Sequence, residues 1–331
     1  MTGPLLSVRD LRVHFPIRGG FLGRPVGWLK AVDGVDLDIA PGESLALVGE
    51  SGCGKSTLGA TILGMQRATS GRIIFEGEDV TSDASVRRAD LSRDIQIVFQ
   101  DPVSALNPKL TIGESIAEPL IIHGIGTREE RRQRVGELLE LVGLNPGHAD
   151  RKPNAFSGGQ RQRIVIARAI ALQPKLLILD EPVSALDVSI RSQILNLLLE
   201  LQQRLGLSYL FISHDLSVVR HFADRVAVMY LGRIAETGST AEVFAKPVHP
   251  YTEALLSAVP LPDPKAQRRR QRIILQGDLP SPANPPAGCR FSTRCPIAVS
   301  VCRTASPELE ARQPGGHAAA CHVRTPDFLK E

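Results

Sequence analysis

The segment Gly49-Glu-Ser-Gly-Cys-Gly-Lys-Ser56 constrains the fold of this 331-residue chain more than any other feature. It fits the pattern G-x-x-x-x-G-K-[ST] of a loop that binds phosphate. A short apolar run, Ser44–Val48, precedes it, and a helix is predicted to begin near Lys55. Glycines let backbone N–H groups turn towards phosphate oxygens, and the N-terminus of a helix adds partial positive charge. The sequence therefore predicts a phosphate site between a buried strand and a helix, and this context disfavours a chance match.

Individual residues of this loop have predicted parts in binding a nucleoside triphosphate. Lys55 is expected to bridge the β and γ phosphates, and the hydroxyl of Ser56 to hold Mg²⁺. Cys53 is expected to be a small filler residue and not a nucleophile. The residues predicted to contact the phosphates are Gly49, Glu50, Ser51, Gly52, Cys53, Gly54, Lys55, Ser56 and Thr57.

A pair of acids follows a second apolar run, at residues 176–179. Four apolar residues predict a buried strand, and Asp180 emerges at its carboxyl end, where ligands bind in open α/β sheets. Asp180 is predicted to hold Mg²⁺, directly or through water. Glu181 is the candidate base that orients and deprotonates the attacking water. The alternative interpretation is a pair of surface acids.

The tetrapeptide Ser157-Gly-Gly-Gln160 predicts a second helix start that could bind phosphate. Ser157 suits an N-cap, and Gly158 and Gly159 permit close approach of an anion. One γ phosphate cannot easily contact two separated helix N-termini of one chain. We therefore expect a dimer, in which the phosphate loop of one subunit faces this tetrapeptide in another.

The composition narrows the classes of protein. Hydrophobic residues make up 43% and charged residues 22%, as in ordinary globular proteins. Aromatic residues make up only 4%, which disfavours a surface built on base stacking, and the net charge of +4 decides nothing. No apolar run reaches the ~18 residues of a membrane span, and no signal-peptide pattern opens the chain. We therefore expect a protein that stays in the cytoplasm.

Strand and helix patterns alternate after residue 158, which favours a parallel sheet with covering helices. A helical pattern also covers residues 112–144, and several prolines in residues 279–288 predict an extended connector. The predicted strands lie near residues 8–15, 35–39, 44–48, 73–75, 95–99, 175–179, 209–212, 226–229 and 233–236.

The phosphate loop, the Ser-Gly-Gly-Gln tetrapeptide and the Asp-Glu pair, in this order, resemble the ATPase subunit of ABC transporters. The resemblance implies an α/β fold of the P-loop NTPase class: an ABC cassette with a RecA-like parallel sheet core, an antiparallel β subdomain and a helical subdomain at about residues 101–172. It places the nucleotide-binding domain at residues 1–245. Residues 246–331 are expected to form a C-terminal extension that contains the proline-rich connector and four cysteines.

The resemblance assigns roles to further residues. Gln100 is similar to the family's Q-loop glutamine, which contacts Mg²⁺ and water, and His214 to the switch histidine that contacts the γ phosphate. The segment Ser184-Ala-Leu-Asp187 resembles the D-loop at the dimer interface. Phe15 lies where the family places an aromatic ring against adenine; the alternative is a core phenylalanine. The resemblance also implies that Gln160 and Asp187 take part in nucleotide binding.

The match is closer still to the dipeptide/oligopeptide importer ATPases, and within them to the dipeptide-type second subunit. The segments that carry it include Ile97-Val-Phe-Gln-Asp-Pro102 and His249-Pro-Tyr-Thr252. The implied activity is a translocase that couples ATP hydrolysis to peptide uptake. One departure is Lys152-Pro-Asn-Ala155, where the family usually has Tyr-Pro-His-Glu. Alternatives are an importer of nickel or another small solute, or a non-transport ATPase acting on nucleic acid or ribosomes.

The resemblance also implies partners and a location. They are a second ABC ATPase in a heterodimer, two transmembrane permease subunits and an extracytoplasmic peptide-binding protein. The protein would lie at the cytoplasmic face of the inner membrane, with no nucleic-acid partner.

Four cysteines cluster near the C-terminus, with intervals of 6, 7 and 19 residues. The spacing alone leaves zinc, an iron–sulfur cluster and unrelated buried thiols open; His317 and His322 could join a zinc site. The resemblance implies a structural [4Fe-4S] cluster. Its predicted ligands are Cys289, Cys295, Cys302 and Cys321.

Overall fold

The computed structural model describes residues 3–19, 24–81, 91–260, 268, 272–311 and 316–324. The chain divides into two compact units. The first comprises Met1–Ile39, Ser44–Thr81 and Ile212–Glu331, and the second Ala40–Glu43 and Ser82–Phe211. The described residues contain no helix of the length and apolarity that a bilayer crossing needs.

The strands, in chain order, are β1 (Leu6–Gly19), β2 (Arg24–Ile39), β3 (Ser44–Val48), β4 (Ser70–Phe75), β5 (Glu78–Asp79), β6 (Ile95–Val98), β7 (Leu176–Asp180), β8 (Ser208–Ser213), β9 (Arg225–Tyr230), β10 (Arg233–Ser239), β11 (Glu310–Ala311) and β12 (Ala318–Ala319). The α-helices are α1 (Lys55–Ile62), α2 (Pro102–Ala105), α3 (Ile112–Ile122), α4 (Arg128–Leu141), α5 (Gly158–Ala169), α6 (Val188–Leu205), α7 (Leu216–Phe222), α8 (Thr240–Ala245), α9 (Pro250–Ser257) and α10 (Ser300–Thr304). Short 3₁₀ helices lie at Pro146–His148 and Pro153–Ala155.

The first unit contains an antiparallel sheet with the strand order β2-β1-β4-β5. The long β1–β2 pair runs from Leu6 opposite Ile39 to Gly19 opposite Arg24. Along β1, Val8, Leu11 and Val13 are fully buried, while polar residues between them are exposed or half-buried. The alternation fits a sheet with one face on the core. β1 and β2 extend beyond the predicted strands at residues 8–15 and 35–39, because the backbone pairing between them continues past the buried residues that mark a strand in the sequence.

A second set of strands in the first unit carries the phosphate loop, in the order β11-β12-β10-β9-β3. β3 pairs in parallel with β9, from Leu45 opposite Arg225 to Val48 opposite Val228. Strands β9 and β10 form an antiparallel hairpin whose turn residues, Leu231 and Gly232, both have positive φ. Such turns follow the twist of the flanking strands. The short strands β11 and β12 extend the edge of β10 with residues from the C-terminal region.

The second unit contains β6, β7 and most of β8, in the order β8-β7-β6. β6 and β7 pair in parallel, and the first four residues of β7 are buried and apolar. Helix α5 packs against α2, α3 and α4. Arg168 of α5 fixes this packing, since it donates to the Ala105 carbonyl at 2.9 Å and pairs with Glu118 at 2.6 Å.

The predicted α/β fold, with parallel strands, an antiparallel β region and a helical region, is confirmed. The helical pattern predicted at residues 112–144 consists of two helices, α3 and α4. Gly124 and Gly126 both have positive φ and interrupt it. Capping boxes at Thr111 and Thr127 then begin α3 and α4. The proline-rich residues 279–288 contain neither helix nor strand, as predicted.

Candidate nucleotide site

The phosphate loop joins β3 to α1 in the first unit. All five residues of β3 are buried, and the loop turns through Gly49, Gly52 and Gly54, whose φ values are +154°, +80° and +109°. Two of these glycines are also enforced by close packing. A Cβ on Gly49 would lie 2.2 Å from the Met229 carbonyl oxygen, and one on Gly54 would lie 2.0 Å from that of Ala31. The backbone of β2 and β9 thus fixes where the loop can run.

Lys55 lies under this loop at the start of α1. Its ammonium donates to the carbonyls of Gly49 at 2.8 Å and Glu50 at 3.0 Å, and its side chain is buried. A buried ammonium inside a loop of turned glycines matches the predicted phosphate cradle. Ser51 and Ser56 are exposed, and Thr57 is half-buried.

Cys53 is buried, and burial raises the pKa of its thiol. A neutral, inaccessible thiol is a poor nucleophile, in agreement with the filler role. Its backbone has a structural part, since its carbonyl accepts from Gly232 N at 2.9 Å.

Two further predicted residues belong to the first unit. Phe15 lies on β1 opposite Leu29 and is half-buried. His214 is exposed directly after β8, and the next residue, Asp215, caps α7 by accepting from Ser217 N at 2.9 Å. Their contacts with adenine and with the γ phosphate stay predictions.

The second unit brings Gln100 and Glu181 together: Gln100 Nε2 donates to a carboxylate oxygen of Glu181 at 3.0 Å. Asp180 ends β7, as predicted, and is half-buried. Glu181 has a φ of +48°, a left-handed conformation that is uncommon outside glycine. Ser184 supports it, because its N–H and hydroxyl both donate to the Glu181 carbonyl, at 3.2 and 3.0 Å. The shared Mg²⁺ site of Ser56, Gln100 and Asp180 stays a prediction.

Ser157 caps α5 in the second unit. Its hydroxyl accepts from Gln160 N at 3.4 Å, and the Gln160 side-chain oxygen accepts from Ser157 N at 3.0 Å. Ser157 and Gly158 are exposed, whereas Gly159 is buried, and a Cβ there would lie 2.5 Å from Ile190 Cγ2. Gly159 is thus required for packing between α5 and α6. Asp187, at the start of α6, is exposed.

Comparison with known proteins gives two family matches. The profile of the family "ABC transporter" matches residues 32–184, and that of "Oligopeptide/dipeptide transporter, C-terminal region" matches residues 235–302. The oligopeptide transport ATP-binding protein AppF of Bacillus subtilis is 52% identical over 320 residues, which cover 96% of this chain and 97% of AppF. The oligopeptide transport ATP-binding protein OppF of Salmonella typhimurium is also 52% identical, over 96% of this chain and 95% of its own.

The chain belongs to the ABC transporter family. Solved structures agree: cbiO1 of Clostridium perfringens, part of the ABC transporter complex cbiONQ, superimposes with a TM-score of 0.63 at 32% identity, over 74% of this chain and 92% of its own. A dimeric structure of the cassette MJ0796 bound to ADP and Pi superimposes with a TM-score of 0.63 at 30% identity. The match covers 71% of this chain and 98% of the MJ0796 chain. This protein is therefore an ABC ATPase, with ATP and Mg²⁺ as its expected ligands. The division at residues 245 and 246 stays a prediction.

The predicted [4Fe-4S] cluster of this ABC protein is wrong. Among the residues that the structure describes, which include all four cysteines, no group of three or more His, Cys, Asp or Glu side chains could hold a metal ion. The names of the relatives AppF and OppF state ATP binding and mention no cluster. Burial raises the pKa of Cys289 to about 11 and also raises that of Cys295, which favours neutral thiols over the thiolates that bind metal. The backbone N–H of Cys289 donates to the carbonyl of Cys302 at 2.8 Å. Within the described residues, Cys321 belongs to no metal-binding group.

The described residues do not support the alternative of a zinc site either, because the two histidines that could join it have other partners. His317 Nε2 lies 2.7 Å from the buried carboxylate of Glu236, and His322 Nε2 lies 3.0 Å from the Ala305 carbonyl oxygen. Spacing in the sequence allowed a cluster, but it could not show where these side chains point.

Two residues near the phosphate loop were not assigned to it from the sequence. Tyr251 and Arg294 both bind Glu50, the second residue of the loop. Tyr251 belongs to the segment His249-Pro-Tyr-Thr252, whose signal in the sequence is its family resemblance. No signal in the sequence indicated Arg294.

Proposed function

We propose that this ABC ATPase is the energy-supplying subunit of an importer for dipeptides or oligopeptides. The geometry of residues 49–56 carries the proposal: glycines with positive φ surround the buried ammonium of Lys55 at the start of α1. A Cβ at Gly49 or Gly54 would overlap a neighbouring backbone carbonyl, so glycine is what lets the loop keep this path. A loop of turned glycines suits backbone contact with phosphate. The names of AppF and OppF support peptides as the cargo.

The residues of the chain have distinct parts in this proposal. Lys55 and the loop N–H groups bind and orient the β and γ phosphates. Ser56, Gln100 and Asp180 supply oxygen ligands suited to Mg²⁺, which when bound neutralises phosphate charge. Glu181 accepts the proton of the attacking water.

Residues on the exposed faces complete the proposed site. Ser157, Gly158 and Gln160 of a second ATPase subunit cover the γ phosphate, and His214 contacts it. Asp187 lies at the subunit interface. The dimer described for MJ0796 with ADP and Pi supports this arrangement. We propose a heterodimer with a second ABC ATPase, bound to two permease subunits and served by an extracytoplasmic peptide-binding protein. The site then faces the cytoplasm at the inner membrane.

Substitution of Glu181 by glutamine tests the hydrolytic mechanism. Loss of a general base lowers turnover by about 10²-fold or more, while ATP binding is kept because the phosphate loop is intact. The measurements are phosphate release and equilibrium binding of ATP with Mg²⁺. Glu200→Gln is the matched control, since Glu200 is an exposed acid paired with Arg204 on α6. Wild-type turnover in Glu181→Gln would exclude Glu181 as the base.

Reconstitution tests the cargo. The subunit is assembled in proteoliposomes with the second ATPase, permeases and binding protein of the same cell. Dipeptides or oligopeptides should stimulate ATP hydrolysis and accumulate inside. Stimulation by nickel salts but not by peptides would instead support the small-solute alternative.

A further inference from the structure

Glu50 is tied to the protein through its backbone and its side chain. Its N–H donates to the Tyr251 hydroxyl at 2.9 Å, and its carbonyl accepts from Lys55 Nζ at 3.0 Å. Its carboxylate makes two bonds to the Arg294 guanidinium, at 2.9 and 3.3 Å. Because the N–H is used by Tyr251, Glu50 serves here to anchor the loop. This differs from the direct phosphate contact that the motif predicts.

The two residues that hold Glu50 are themselves fixed. Tyr251 is fully buried in an aromatic cluster of Tyr230, His249, Tyr251 and Phe291, with ring centroids 4.6 Å from Tyr230 and 5.5 Å from Phe291. Arg294 is 10% exposed and also donates to the Tyr230 hydroxyl at 3.4 Å. A bidentate guanidinium–carboxylate pair in such surroundings fixes direction as well as distance.

The start of α9 gives Tyr251 its position. His249 Nδ1 accepts from Tyr251 N at 3.1 Å. The carboxylate of Glu236, on β10, accepts from Val248 N at 2.7 Å and from His249 N at 2.9 Å. A chain of hydrogen bonds therefore runs from β10 through the His-Pro-Tyr segment to the phosphate loop. This provides a physical reason for a motif that nucleotide binding alone does not require.

The charge of Glu50 provides a second reason why an arginine at position 294 should favour ATP binding. The Glu50 side chain is 29% exposed beside a loop that, under the proposed function, binds a triphosphate. An unpaired carboxylate there would repel the phosphates, and Arg294 offsets its charge. Burial disfavours the charged guanidinium, yet the bonds to Glu50 and Tyr230 raise the pKa of Arg294.

We propose that Tyr251 and Arg294 are positioning residues of the phosphate loop, which act through Glu50 and make ATP affinity depend on the C-terminal extension. The proposal rests on the proposed function for its ligand. Neither residue takes part in the chemical step. Their loss should therefore raise the KM for ATP and leave kcat close to that of the wild type.

The test uses the full chain with the substitutions Arg294→Gln, Glu50→Gln and both together. Arg294→Gln leaves one carboxylate unpaired, so the KM and Kd for ATP with Mg²⁺ should rise about tenfold. The double substitution removes both charges, and the KM should return to within about threefold of the wild type. Tyr251→Phe, which removes only the hydroxyl, should raise the KM without affecting the carboxylate pair.

Arg9→Gln is the matched control, because Arg9 of β1 forms a 2.7 Å pair with Asp38 of β2 in the same unit. Hydrogen exchange of loop amides 49–57 without nucleotide gives a readout that does not depend on ATP. Exchange should rise in Arg294→Gln and Tyr251→Phe and stay unchanged in Arg9→Gln. Absence of ATP binding in the wild type, with this exchange pattern intact, would overturn the proposed function alone. Unchanged exchange and KM in Arg294→Gln, or equal effects in Arg9→Gln, would overturn the inference.

Discussion

At the residue scale, Gly52 and Gly54 show that one loop can require glycine for two different reasons. Both have positive φ, which costs an L-residue roughly 1–2 kcal/mol. Around Gly52 there is open space, since no heavy atom lies within 4 Å of an added Cβ. At Gly54 the same Cβ would overlap the Ala31 carbonyl oxygen, so the backbone of β2 or of the loop must move.

Alanine substitutions at these two glycines should therefore differ. Gly54→Ala should lower the free energy of unfolding by about 3 kcal/mol and strongly weaken ATP binding, because it adds overlap to strain. Gly52→Ala should lower the free energy of unfolding by only about 1 kcal/mol, because it adds backbone strain without overlap. Urea unfolding and ATP titration of both variants provide the measurement. Equal losses in the two variants would show that packing against β2 is not what fixes Gly54.

At the scale of elements, the start of α5 depends on a cap that the chain forms from its own residues. Ser157 and Gln160 each satisfy an N–H of the other, in a capping box. Ser157→Ala should reduce the free energy of unfolding by about 1 kcal/mol in the absence of nucleotide. The matched control is Ser192→Ala on α6, whose hydroxyl donates within its own helix to the Val188 carbonyl. A loss in Ser192→Ala as large as that in Ser157→Ala would contradict a capping role.

Elements with strong local signals were predictable from the sequence. The apolar β7 with Asp180 at its end, and the helix beginning at Lys55, follow from residues within a few positions of one another. Strands β9 and β10 agree in the same way with the predicted strands at residues 226–229 and 233–236. The tie from Glu50 to Tyr251 spans 201 residues and has no periodic signal. The cluster predicted at the cysteines was wrong because spacing along the chain does not show how far burial raises the pKa of a thiol, as it does for Cys289 and Cys295.

At the scale of the whole molecule, a buried histidine makes stability depend on pH. His249 is 3% exposed, and burial lowers its pKa to about 4; Arg324 acts in the same direction and Glu236 against it. An unfolded histidine has a pKa of about 6.5. Below that pH the unfolded chain binds a proton that the folded chain does not, so stability is complete above pH ~6.5 and falls as pH decreases towards 4.

The size of this effect can be measured. Between pH 7.5 and 5, His249 should account for a loss of up to about 2 kcal/mol in the free energy of unfolding. His249→Asn keeps an acceptor for Tyr251 N and should flatten this part of the pH profile. His221→Asn, at an exposed position of α7, should leave the profile unchanged. If His249→Asn kept the wild-type slope in urea unfolding, the titration of His249 would not be its cause.

The pair between Glu50 and Arg294 joins residues that are 244 positions apart. A ribosome therefore finishes the phosphate loop long before it makes the arginine that holds this loop. A nascent chain, or a product of premature termination before Arg294, carries every ATP-binding motif but lacks their support. Under the inference above, the chain gains its full affinity for ATP only once Arg294 has been made, and copies that lack it hydrolyse less ATP when ATP is scarce.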